Sequence, residues 1–163
     1  MPMIFSTDAH LLESPVDYGP GVFPLYRVID CWSYEVLRYR EIARGVDNLF
    51  PRPRWAPHDF VGALHIREAI DRALRPGDGR DVLVEPPTLQ AIDALHIEST
   101  GPDDRGLLRY LEPSYDARIS DPRCWWWRRF PASGAVLDET LEMIGGVGSN
   151  KHDQNEGETP NAH

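Results

Sequence analysis

Apolar residues recur at spacings of three and four along much of this chain, and that period predicts amphipathic helices as its main elements. The first stripe, Trp32, Val36, Tyr39, Ala43 and Val46, predicts a helix that starts near Asp30 or Ser33, either of which can serve as N-cap. Gly45 or the Pro51-Arg52-Pro53 breaker ends it. A second helix is expected from Pro57 to Leu74, with Ala63, Ile66, Ile70, Ala73 and Leu74 inward and His58, His65, Glu68 and Arg72 outward. Pro86-Pro87-Thr88 opens a short third helix that carries Leu89, Ile92 and Leu95 on one face. Val136 to Ile144 forms the last, with Gly145-Gly146 as its stop.

Shorter apolar runs predict strands. Met3 to Ser6 and Val22 to Ile29 are two, with a loop rich in Pro and Gly from Ser14 to Pro24. Asp81 to Glu85 leaves the turn at Pro76-Gly77-Asp78-Gly79 as another. Gly106 to Leu111, Ala117 to Ser120 and Cys124 to Phe130 read as a three-strand meander broken at Pro113 and Pro122. Strands and helices do not alternate as a doubly wound sheet requires, so the expected class is α+β, a small antiparallel sheet with three to four helices packed on one face. Residues 1–148 form one domain, and the polar stretch 149–163 is expected to be a disordered tail.

With 163 residues the chain has the length of one domain and needs no covalent staples. No apolar run reaches the roughly 20 residues of a membrane span, and the start carries no basic and apolar leader pattern, which makes a cytoplasmic protein the expectation. Cys31 and Cys124 stand alone, outside any Cys-x-x-Cys pair, so they are expected to be reduced thiols and not zinc ligands. Lys151 is the single lysine among the basic residues, an Arg bias of the kind found in bacteria with GC-rich genomes.

The net charge of -9 disfavours nucleic acid as a partner, because neutralising phosphates takes a surplus of Lys and Arg. The acids gather in the middle, where Asp81, Glu85, Asp103 and Asp104 belong to a stretch opposed only by Arg80 between Asp78 and Asp104. Such a face suits a basic partner.

The run Cys124-Trp125-Trp126-Trp127-Arg128-Arg129-Phe130 carries the strongest local signal. As a strand it would send Trp126 to one face and Trp125 and Trp127 to the other, beside Arg129. Trp and Arg are the types most enriched at binding hot spots, so Trp125, Trp127, Arg128 and Arg129 are the candidate partner-binding residues. Stacking of Arg on indole would equally make a self-contained ladder, and single-stranded nucleic acid or a homodimer seam are further uses of such a surface.

Two sets of residues could carry chemistry. Asp8-Ala9-His10 after the first strand candidate resembles the metal-binding start of amidohydrolase-type barrels over fewer than a dozen residues, which implies a metal pair at Asp8 and His10. A closed eightfold barrel takes about 250 residues, so the chain is too short for that fold. His65-x-x-Glu68 puts an imidazole and a carboxylate one helical turn apart, where they could join a metal or act as acid and base. No phosphate-cradling loop or nucleophile elbow is present.

The expectation is therefore a small acidic inhibitor of the immunity-protein or antitoxin kind, without catalytic residues or cofactors, that docks a basic toxin or enzyme. The alternative is a small metal-assisted hydrolase using Asp8, His10, His65 and Glu68.

Overall fold

The computed structural model describes residues 11–19, 21–44, 57–75 and 85–149, with side chains as far as Gly146. The first-strand candidate, the Asp81 strand, the end of the first helix, the motif at Asp8 and His10, and residues 150–163 lie outside the described residues. Pro and Gly punctuate the chain between Ser14 and Pro24, and this stretch folds as a hairpin of β1 (Pro15–Tyr18) and β2 (Gly21–Pro24). Gly19 takes the positive φ of 59° that a two-residue hairpin turn needs. The register pairs Val16 with Phe23 and Tyr18 with Gly21, and the amide of Leu25 continues the ladder to the carbonyl of Ser14 at 2.9 Å.

β2 runs directly into α1 (Leu25–Ala43). The helix thus begins before Asp30, and Val22 to Ile29 is not one strand. Leu25, Val28 and Ile29 extend the three-and-four spacing of Trp32, Val36 and Tyr39, and the six share one buried stripe. α2 (Pro57–Leu74) is the central helix, buried on most of its circumference, with Phe60, Leu64, Arg67 and Ile70 all enclosed. α3 (Pro87–Ser99) starts with Pro87 in its first turn and buries Leu89, Ile92, Asp93 and His96.

β3 (Thr100–Pro102) pairs antiparallel with β4 (Arg129–Pro131), Gly101 standing opposite Phe130. The expected meander between them is instead helical, as α4 (Leu108–Leu111), α5 (Tyr115–Ser120) and a 3-10 turn at Trp125–Arg128. A local cap explains the first of these. The Asp103 carboxylate accepts the amides of Leu107 and Leu108 at 2.8 and 3.0 Å, which satisfies the donors that a helix start leaves open. α6 (Ala135–Ser149) passes through Gly145-Gly146 without the left-handed residue that would stop it, since the positive-φ glycines among the described residues are Gly19, Gly106 and Gly134.

The class is α+β. Its antiparallel pairing is divided between two short ribbons, and the body is built by the long helices α1, α2, α3 and α6. Aromatic rings close the centre, with Phe60 edge-on to Tyr39 at 5.4 Å and to Phe130 at 5.3 Å. No helix among the described residues is long and apolar enough to cross a membrane.

Candidate interaction face

The Trp run is internal. Its 3-10 turn advances about 120° per residue, so neighbouring side chains are not sent to opposite faces as in a strand. Trp126 and Trp127 are both buried, while Trp125 is half-buried against Trp126 and His96, with ring centroids 5.9 and 5.7 Å apart. The guanidinium of Arg67 lies 4.6 Å above Trp126. Trp127 sits between Arg118 at 4.8 Å and His65 at 5.1 Å, and its Nε1 donates to Glu68 at 3.0 Å.

The two arginines that follow are both tied to backbone carbonyls, Arg128 at the exposed surface and Arg129 partly buried. Arg128 donates to the carbonyl of Ile119 at 2.6 Å, and Arg129 donates to the carbonyls of Ile97 and Thr100 at 2.9 and 2.6 Å. Arg129 thereby satisfies the open carbonyls at the end of α3. Trp127 is thus part of the core and not of an exposed patch, whereas Arg128 stays exposed and Arg129 half-buried, each holding a backbone carbonyl.

The acidic candidates are dispersed. Glu85 pairs with Arg67 at 3.1 Å, Asp103 caps α4, Asp104 stands exposed on the following turn, and Asp81 lies outside the described residues.

His65 and Glu68 turn to different partners. His65 Nε2 meets Glu112 Oε2 at 2.9 Å, whereas Glu68 binds Arg118 and the Trp127 indole. Among the described residues no three His, Cys, Asp or Glu side chains gather to hold a metal. Ser114 Oγ donates to Glu112, which places the carboxylate between imidazole and hydroxyl. A serine nucleophile needs the imidazole in the middle, so this order is a structural clasp. Burial pushes Glu112 upward, but the hydrogen bonds from the Ser114 hydroxyl and amide and from His65 prevail and bring its pKa down to about 2. The thiols of Cys31 and Cys124 are both raised, first by burial, and are therefore less nucleophilic than a free cysteine.

A buried polar spine joins the three central helices. Arg67 of α2 donates to both oxygens of Asp93 of α3, which also accepts from Trp32 Nε1 of α1 at 2.9 Å. One turn along α3, His96 pairs with the hydroxyl of Tyr39 on α1. Burial, helped by Arg129 and Arg67, lowers the His96 pKa to about 3, so the ring is neutral in ordinary buffers. The reading of the sequence missed this spine. Its signal was present, because Asp93 and His96 share the helical stripe of Leu89 and Ile92, where a polar side chain must find a buried partner.

The outer side of α1 is different. Tyr26, Tyr34 and Leu37 are 39%, 46% and 39% exposed, and Val22 on the adjoining hairpin is 65% exposed. Tyr26, Asp30 and Tyr34 form an i, i+4, i+8 ridge, and Leu37 stands beside it. Along its flank runs an apolar groove of about 430 Å³ between Tyr18 and Phe23 of the hairpin and Val28 and Cys31 of α1. It continues into a second hollow of about 420 Å³ that shares Tyr18, Asp30 and Cys31 and reaches Tyr34 and Ile66. Burial raises the pKa of both Tyr18 and Cys31, and Glu35 raises each further, with Asp30 adding to the effect at Cys31. The groove is apolar within, and its rim carries Arg27 together with Asp30 and Glu35, the last paired with Arg38 at 3.4 Å.

No family model, curated protein or solved structure matches this chain.

Proposed function

We propose that this protein is an acidic binding module, of the inhibitor, immunity-protein or antitoxin kind, and that it docks a basic protein partner through α1 and the hairpin. The observation that carries the reading is the row of Tyr26, Tyr34 and Leu37 beside an apolar groove whose rim holds Arg27, Asp30 and Glu35. Large aromatic and aliphatic groups left in water on one side of a helix mark interaction sites more often than scattered apolar residues do. The net charge of -9 favours a basic partner by long-range steering. Free thiols at Cys31 and Cys124 suit a cytoplasmic setting.

The test begins with recovery of stoichiometric companions from the native host, followed by reconstitution from purified components. Tyr26→Ser with Leu37→Ser is expected to weaken the reconstituted complex at least tenfold, and hydrogen exchange in α1 is expected to slow on binding. A complex that ignores both substitutions and leaves α1 exchange unchanged would remove this assignment.

A further inference from the structure

Building on the docking reading of α1, we infer that this face closes on a second copy of the chain when no other partner holds it, with two α1 helices packed across a two-fold axis. The charges on the face select that occupant. Arg27 and Asp30 stand one helical turn apart, both exposed, and neither forms an ion pair or a side-chain hydrogen bond with a described residue. Arg27 lies in the first turn of α1, which holds no acid and has no side-chain cap, so this cation sits at the helix end that favours an anion. A uniformly basic segment would meet Arg27 with like charge, and a uniformly acidic one would meet Asp30 in the same way. An occupant that satisfies both must carry the two signs one turn apart, and α1 of a second copy does. In an antiparallel pair centred between Val28 and Ile29, Arg27 of each copy stands at the height of Asp30 of the other, so the contact is made twice.

The shape of the face is self-complementary as well. Exposed Tyr26, Tyr34 and Leu37 make a ridge, and the apolar groove at Tyr18, Phe23 and Val28 runs beside it, so each copy offers both a ridge and a hollow. Antiparallel order also opposes the two helix dipoles. The footprint is small. From Tyr26 to Leu37 the row rises about 16 Å at the usual 1.5 Å per residue, and helix and hairpin together are about 20 Å wide. A patch of that size is below the roughly 800 Å² per partner of a standard interface. Each copy also carries a net charge of -9, which repels the other at long range. The pair therefore forms reversibly and yields the face to a partner that binds it more tightly.

Sedimentation velocity of the full chain over a range of concentrations, at an ionic strength that screens the net charge, measures the pair. The wild type is expected to show a reversible equilibrium between monomer and dimer. Arg27→Asp and Asp30→Arg, each alone, are expected to weaken it at least tenfold, with circular dichroism and the denaturation midpoint confirming that both variants fold. An equal mixture of the two variants is expected to associate again, because each then meets the opposite sign on the other. Weakened variants that do not recover together overturn the inference. So does a dimer that ignores Arg27, Asp30, Tyr26 and Leu37 alike, since it is built elsewhere. A wild type that stays monomeric overturns the inference and leaves the docking face to a different protein. The docking reading fails separately, when the reconstituted complex ignores Tyr26→Ser with Leu37→Ser.

Discussion

Arg67 grips Asp93 through Nε to Oδ1 and Oδ2, both at 3.0 Å, and through Nη2 to Oδ2 at 2.8 Å, with the guanidinium almost completely buried. The pair ties α2 to α3, and the Trp32 indole on the same carboxylate adds α1. Arg67→Met leaves a carboxylate enclosed without its cation and is expected to destabilise the fold by about 3–5 kcal/mol. Arg67→Met with Asp93→Leu should recover much of that loss, because neither charge then remains buried alone. Urea denaturation of the two single variants and the double variant measures the coupling.

Acid should weaken the fold through His96 before it reaches most carboxylates. The unfolded imidazole has the ordinary pKa of 6.5 and the folded one about 3. Within that window the unfolded chain holds a proton that the folded chain refuses, so stability is full above the window and declines as pH falls through it. The steepest slope from one such group is about 1.4 kcal/mol per pH unit. Tyr39→Phe with His96→Leu removes hydroxyl and imidazole together, and is expected to flatten this part of a stability profile taken by chemical denaturation.

Glu112 acts in a lower window. Its carboxyl lies at about 2 when folded and near 4.5 when unfolded, so its contribution is present above the upper value and is lost as pH falls toward the lower. Glu112→Gln should be less stable than wild type at neutral pH and approach it at pH values below the window. Thermal unfolding across that range reads the convergence.

Trp127 and Leu37 provide opposite controls. Trp127→Ala empties a buried site and should lower stability by about 3–5 kcal/mol. Leu37→Ser on the exposed row should stay within about 0.5 kcal/mol of wild type. A Trp127→Ala protein with an unchanged denaturation midpoint would place that indole outside the core.

Two glycines should respond in opposite directions to alanine. Gly134 has φ +89° and its added Cβ would lie 2.9 Å from Ala43 Cα, so Gly134→Ala is expected to destabilise by about 1–3 kcal/mol. Gly146 sits within α6 with open space around it, and Gly146→Ala should stabilise the helix by up to about 1 kcal/mol. Differential scanning calorimetry of both variants gives the sign of each.

Long helical periodicity was readable from the chain alone. The α2 and α3 stripes and the α+β class follow from repeated spacings that hold wherever the helix is placed, whereas the strands at 15–18 and 100–102 lay in stretches read as loop and turn. Regions 106–111, 117–120 and 124–128 were misread as strands, while Arg129 and Phe130 do enter β4, because an apolar run of a few residues suits either element and capping decides between them. Asp103 made that decision at α4 through two backbone amides that no periodicity describes. The site shows the same division. Composition established an acidic chain with an excess of indole, but whether an indole faces water depends on what packs against it. Arg67, Arg118, His65 and Glu68 come from other elements to enclose Trp126 and Trp127. Among the described residues the tyrosines that stay exposed are Tyr26 and Tyr34 on the outer side of α1 and Tyr110 on α4. Local spacing therefore determined which segments would be helices, whereas contacts between residues distant in sequence decided which polar groups are buried and which aromatic groups remain available to a partner.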